Sequence, residues 1–258
     1  MAKNPSGEMP FLDHLEELRW RIIWALGALV VGVVAGFYAV VRFDLIAILQ
    51  KPIAPFLQSK LVVTSPSDPL TITMNFAVII GLMMASPVIL YQLWAFLSPA
   101  LHRHEKKLVI PVITGAVALF IGGVALAWFF VLPMMLKFLL TFQSASFDPM
   151  ITASGYFGMV STLALTFGAT FELPVLIIAL TALGLVTPKF LGKFRPYALI
   201  LAFLAGAFLT PGDFFLATLA LGAPLYLLYE LSIVLATLIF RKRQARAFAA
   251  EQPEPEGA

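Results

Sequence analysis

Cysteine is absent from this 258-residue chain, which excludes disulfides, thiolate metal sites and a cysteine nucleophile. Charge is scarce: 12% of the residues are Asp, Glu, Lys or Arg, against roughly 25% in an average soluble domain. The three histidines, His14, His102 and His104, all sit among charged residues, so none is available within an apolar stretch as a base or metal ligand. No H-E-x-x-H, G-x-S-x-G or phosphate-binding glycine loop occurs. No catalytic, metal or cofactor site is expected, and the chain is not read as an enzyme. A net charge of +3 is too small to argue for nucleic acid as a partner.

Apolar residues are what the chain has in quantity: 60% hydrophobic, with 23 Phe. A soluble protein of this size has no interior large enough for that surface, so the fold class is an all-α integral membrane protein in contact with lipid. The first apolar run is longer than the roughly 7–15 residues of a leader's core, and no cleavable signal peptide is expected.

In chain order, Phe11, Leu15, Leu18 and Ile22 fall on one helical stripe while Asp13, Glu16, Glu17 and Arg21 point elsewhere. Pro10 suits a first helical turn, and Glu17 precedes Arg21 by the spacing that favours a pair. This predicts an amphipathic surface helix running into the first span; its charges either serve recognition or merely solvate a helix end. Ile22–Val41 is uncharged and long enough to cross. Asp44–Leu57 reads as a short interfacial helix broken near Pro52 and Pro55. Pro69–Leu101 is also uncharged and holds one span kinked at Pro87. Six spans are expected, near 22–41, 70–98, 108–136, 155–184, 196–210 and 214–240. They make a single membrane domain over 1–240, followed by a disordered tail at 241–258. Lys189, Lys193 and Arg195 are assigned to a loop, which leaves the fifth span too short for an unperturbed bilayer and implies local thinning.

The connections sort the 17 Lys and Arg unequally. Lys3, Arg19, Arg21, Arg103, Lys106, Lys107, Lys189, Lys193, Arg195, Arg241, Lys242, Arg243 and Arg246 fall on one side; Arg42, Lys51, Lys60 and Lys137 fall on the other. The positive-inside rule places both termini in the cytoplasm.

Against this background Glu172 stands out. The residues from Pro149 to Phe171 before it and from Leu173 to Pro188 after it carry no charge. An ionised carboxylate in hydrocarbon costs at least about 2.5 kcal/mol. Either it lines a polar cavity or groove, or it is an uncharged or locally hydrated structural residue inside the bundle. At the cytoplasmic surface, Asp13, Glu16, Glu17 and Glu105 offer carboxylates that can take arginine in paired hydrogen bonds. A partner with two adjacent arginines followed by an apolar stretch would suit them, although Glu105 can equally pair with Lys106 or Lys107.

Four segments, LDHLEELRWRI, SPVILYQLWAFLSPALHRHEKK, FGATFELPV and RPYALILAFLAGAFLTPGD, resemble in sequence and order the TatC family of the twin-arginine translocase. The resemblance covers roughly residues 10 to 240. It implies six spans with cytoplasmic termini in a concave, glove-like bundle in the bacterial plasma (inner) membrane. The implied function is that of a core receptor, which binds twin-arginine signal peptides of folded proteins for export driven by the proton-motive force. Implied partners are TatB-like and TatA-like single-span subunits, membrane lipid and further copies of the chain. Carried over by motif, Glu17 and Glu105 would receive the arginine pair, within a surface of Arg19, Pro87, Phe96, Leu101 and His104. Glu172 would face the intramembrane groove and a partner, and Pro52 and Asp213 would belong to the periplasmic cap; Gln92, a polar residue on another span, is grouped with Glu172 on the sequence alone. The turn Pro211–Gly212–Asp213 lacks a second Pro frequent in the family, and Ala217 stands where some members carry Gln, so a cap of the sixth helix is an equal reading of Asp213. The alternative reading is a secondary transporter using Glu172 as a proton or cation site; a scaffold in which Glu172 only pins helix packing is a third.

Overall fold

A computed structural model describes residues 11–57, 60–97, 109–141, 150–182, 184–209 and 216–251. Among these residues the regular structure is helical, with one isolated parallel bridge between Val62 and Thr152. The helices are α1 (Phe11–Arg42), α2 (Leu45–Leu49), α3 (Asp68–Leu97), α4 (Val109–Leu126), α5 (Leu132–Thr141), α6 (Ala153–Phe171), α7 (Leu173–Ala182), α8 (Pro188–Leu209) and α9 (Leu216–Glu251). A 3-10 turn, Ala54–Phe56, follows α2. Five stretches are long and apolar enough to cross a membrane, and Gly222–Leu238 of α9 is a shorter sixth. The six-span reading therefore holds.

The amphipathic segment and the first span form one unbroken helix, α1. It packs antiparallel along α3 with almost no side chains between the backbones. A Cβ added at Gly32 would stand 2.5 Å from the Gly81 carbonyl oxygen, and one at Gly36 would stand 2.5 Å from that of Ala77. Lipid tails are as apolar as the helices, so close van der Waals approach, rather than water exclusion, holds two spans together. Residues 32 and 36 have the small-xxx-small spacing that permits it.

Three prolines shape the other spans. Asp68 starts α3: its carboxylate accepts from the Thr64 and Ser65 backbone N–H groups, each at 3.0 Å, and Pro69 follows in the first turn. Further along, Pro87 removes the N–H that would bond the Met83 carbonyl. The Ser86 hydroxyl donates to that carbonyl instead, at 2.9 Å, and α3 continues. Between α4 and α5 the backbone widens to a π-helix over Ala127–Val131. Pro133 follows immediately, and an extra residue in the turn relieves the clash of its ring with the Phe129 carbonyl.

Among the described residues the largest core lies at the end of the bundle where α2 and the start of α6 meet. There Val40, Ile53, Phe76, Leu132, Phe157 and Phe167 are buried together. Two backbone hydrogen bonds, Val62 N–H to Ile151 O at 3.0 Å and Ala153 N–H to Val62 O at 2.7 Å, strap the 43–67 connection to α6. The Tyr156 hydroxyl donates to the Leu49 carbonyl at 2.6 Å.

Two sequence expectations need correction. Lys189, Lys193 and Arg195 are not in a loop, because α8 begins at Pro188. The Thr187 hydroxyl accepts from the Phe190 N–H at 3.2 Å, a threonine cap with proline in the first helical position. The fifth span is accordingly a 22-residue helix, although its cationic first turns leave the apolar part short. At the chain's other end, α9 runs on to Glu251, so residues 241–251 are helical where disorder was expected; Ala, Arg, Lys, Gln and Glu, all good helix formers, make up most of them.

Candidate functional site

Helix spacing and antiparallel packing build the first part of the site. Glu17 and Arg21 lie one turn apart on α1, so their side chains meet. The Arg21 Nε donates to Glu17 Oε1 at 2.9 Å, and its Nη2 contacts the same oxygen. The α1–α3 register then brings Gln92 to this pair, with Arg21 Nη1 donating to Gln92 Oε1 at 3.4 Å. A carboxylate, a guanidinium and an amide thus come together from two helices at the α1 N-terminal end. All three are half-buried, where water competes less for such bonds.

One contact here was not expected from the sequence. Gln92, grouped with Glu172 from the sequence, is held beside Arg21 and Glu17. No signal in one sequence places residues 21 and 92 together, since only the packing of α1 on α3 does so. Arg19 is exposed on α1 and Pro87 is exposed on α3, while Phe96 is half-buried one turn beyond Gln92. Leu101, His104 and Glu105 lie outside the described residues, as does Asp213. Pro52 stands between α2 and the 3-10 turn, next to the buried Ile53.

Glu172 occupies a break. α6 ends at Phe171, Glu172 is its C-cap residue, and α7 restarts at Leu173. Pro174 explains the interruption, because it cannot donate to the Thr170 carbonyl and its ring crowds that position. The Leu176 N–H bonds to the Glu172 carbonyl at 3.0 Å and opens the new helix. Glu172 thereby stands between the C-terminal end of α6 and the N-terminal end of α7, whose dipoles act on its carboxyl group in opposite senses. Its Oε2 is buried without a hydrogen-bond partner among the described residues, and the indole Nε1 of Trp94 is in the same position. Buried polar groups are nearly always satisfied, so each asks for a partner. Trp94 packs against Ile178 and Ala179 of α7, and Leu90, one turn before it, packs near Val175. The Trp94 indole therefore belongs to the region where side chains of α3 and α7 meet.

Elsewhere, Arg195 of α8 donates to Glu230 of α9 at 2.8 Å, and the Tyr226 hydroxyl donates to the same carboxylate at 2.8 Å. This cluster ties the last two spans together. Glu230 was not assigned a role from the sequence; its helical spacing from Tyr226 was the available signal. Among the described residues, no group of three or more His, Asp or Glu is arranged to hold a metal.

Comparison with known proteins gives one consistent result. The profile of the Sec-independent protein translocase protein (TatC) family matches residues 13–224. The TatC protein of Aquifex aeolicus (strain VF5) is 39% identical over 240 residues, covering 92% of this chain and 98% of the relative. That of Escherichia coli (strain K12) is 34% identical over 241 residues, covering 92% of each. A crystal structure of the twin arginine translocase receptor TatC superposes with a TM-score of 0.72 at 38% identity, covering 87% of this chain and 98% of that one. A second, in DDM, gives a TM-score of 0.74 at 38% identity, covering 86% and 99%. The six-span, glove-like all-α bundle agrees with these neighbours.

Proposed function

This chain belongs to the TatC family of Sec-independent protein translocase proteins, and from that premise we propose that it is the receptor subunit for twin-arginine signal peptides. It is a multi-pass membrane protein of a translocase, a transport role rather than a catalytic one. Family membership sets this reading above the secondary-transporter alternative.

The observation that carries the proposal is the half-buried Glu17–Arg21–Gln92 group at the end of α1 and α3. Glu17 already holds a guanidinium, so its setting is suited to that ligand. An incoming arginine would exchange with Arg21, and Gln92 would hold Arg21 as it moves aside. Glu105, in the connection that follows α3, supplies the second carboxylate for the paired arginine. Arg19, Pro87, Phe96, Leu101 and His104 complete the recognition surface.

The apolar stretch of the signal peptide then lies among the spans, with Glu172 meeting it or a polar residue of a TatA-like or TatB-like single-span partner. Pro52 and Asp213 close the opposite, periplasmic end. Both termini face the cytoplasm of a bacterial plasma membrane, the proton-motive force drives export, and several copies associate in the working complex.

Site-specific photocrosslinking tests this. Probes at positions 105 and 172 should capture a twin-arginine substrate, the first at the arginine pair and the second at the apolar stretch or a partner. Equal adducts with a substrate whose arginines are replaced by Gln would refute recognition at this site.

A further inference from the structure

Beneath α2 the bundle contains an apolar cavity of about 180 Å³. Leu45, Ile48 and Leu49 of α2 form one wall, with Met83 of α3, Trp128 of the π-helical turn and Ala164 of α6 among the others. Apart from the Trp128 indole, the lining side chains are hydrocarbon or thioether. It has no part in the arginine site, since α2 is at the opposite end of α1 from Glu17.

The dimensions and chemistry restrict the occupant. An apolar space of about 150 Å³ takes a benzene-sized guest, and these walls offer water no hydrogen-bond acceptor, so an apolar occupant suits the cavity better. A helix is about 10 Å across with side chains and is too wide. An extended peptide would bring backbone N–H and C=O groups to walls that cannot bond them, at a cost of several kcal/mol each. A flexible hydrocarbon chain meets neither objection. Within a membrane, the abundant source of such chains is lipid.

Charge at the rim adds the second part. Arg42, at the end of α1, and Lys51, two residues beyond Leu49, are both exposed and bracket α2. Asp44 is exposed between them, so the rim carries one net positive charge. Phosphate bears negative charge and several strong acceptors, which suits cations flanking the helix that walls an apolar cavity.

We propose that this cavity is a phospholipid site, which takes the headgroup-proximal segment of one acyl chain under α2 while Arg42 and Lys51 hold an anionic headgroup. The lipid fills the space between α2, α3, α5 and α6 and braces the strap at Val62 and Thr152. The site does not depend on the receptor reading, and a chain that failed to bind signal peptides would still carry it.

The test uses the full chain in nanodiscs of equimolar phosphatidylglycerol and phosphatidylcholine, released for native mass spectrometry. Wild type should retain a phospholipid, with phosphatidylglycerol favoured several-fold. Ala164→Phe, which fills the cavity, should cut retention at least tenfold with helical content unchanged. Arg42→Gln with Lys51→Gln should abolish the headgroup preference while lipid is still retained. Should Ala164→Phe fail to fold, phosphatidylglycerol bearing a diazirine in the first third of its acyl chain is photolysed with wild type, and adducts are expected on the peptides containing Met83 and Trp128. Equal retention by Ala164→Phe and wild type would overturn the proposal. So would an absence of adducts on those peptides, or a photoreactive residue at position 83 that captures translocating polypeptide and no lipid.

Discussion

At the scale of single residues, the site depends on where a few polar atoms are held in an apolar body. Hydrogen bonds to charged groups contribute about 1.5–3 kcal/mol, and 1.4 kcal/mol is a factor of ten. Glu17→Ala and Glu105→Ala should therefore each lower crosslinking to a twin-arginine signal peptide by about tenfold or more, with membrane insertion preserved. Unchanged yields in both variants would count against the receptor proposal. Glu172→Gln keeps the shape and removes the titratable carboxyl group at the break between α6 and α7; export assayed in vesicles should fall further than signal-peptide capture. Uptake of a small solute that vanished in this variant would favour the transporter instead. Much of this was legible beforehand. A lone acid in a long uncharged run is a signal in any sequence, and so is the Glu17–Arg21 spacing. The meeting of Gln92 with Arg21 was not legible, because the two lie 71 positions apart and no local pattern encodes that separation.

At the scale of elements, the α1–α3 pair is the clearest example of contact set by the smallest side chains. A Cβ at Gly81 would fall 2.6 Å from the Val33 Cα, whereas one at Gly27 would meet nothing within 4 Å. Gly81→Ala should lose about 1–3 kcal/mol through overpacking, and Gly27→Ala should lose nothing. Circular dichroism melts of the two variants in one detergent provide the comparison, and equal midpoints would show that the close approach is unimportant. Breaks in the helices follow a common cause. Proline at 87, 133 and 174 produces a continuous helix, a π-helical turn and a helix restart respectively. The identity of the residue announces a disturbance, while its neighbours decide the outcome: at 87 the Ser86 hydroxyl supplies the missing bond. The start of α8 was legible as Thr187–Pro188, and weighing the lysines as loop residues concealed it.

For the whole molecule, the distribution of cations carries a topology that can be measured directly. The absence of cysteine makes the natural chain a ready background for labelling. Lys51→Cys should react with a membrane-impermeant maleimide added outside intact cells, and Lys193→Cys should react only after the membrane is opened; the reverse pattern would invert the proposed orientation. Between spans, the exposed Arg195–Glu230 pair bridges α8 and α9. Surface pairs of this kind contribute about 0–1 kcal/mol, so Arg195→Gln should change the melting midpoint little. Stability resides instead in the core beneath α2 and in the close helix contacts.

What this chain's sequence determined by itself was its solvent and its plan: lengths of uncharged residue set the number of crossings, charge asymmetry set the expected sides, and a solitary carboxylate marked the interior. Those properties are local, because each depends on residues within one stretch and the lipid or water around it. Tertiary structure decided which stretches touch. The meeting of Arg21 with Gln92, the strap from Val62 to Thr152 and the cavity under α2 all require backbones from distant parts of the chain to pack at a particular register. That register is chosen by shape, above all by glycines that let two helices approach, and shape is a property of pairs.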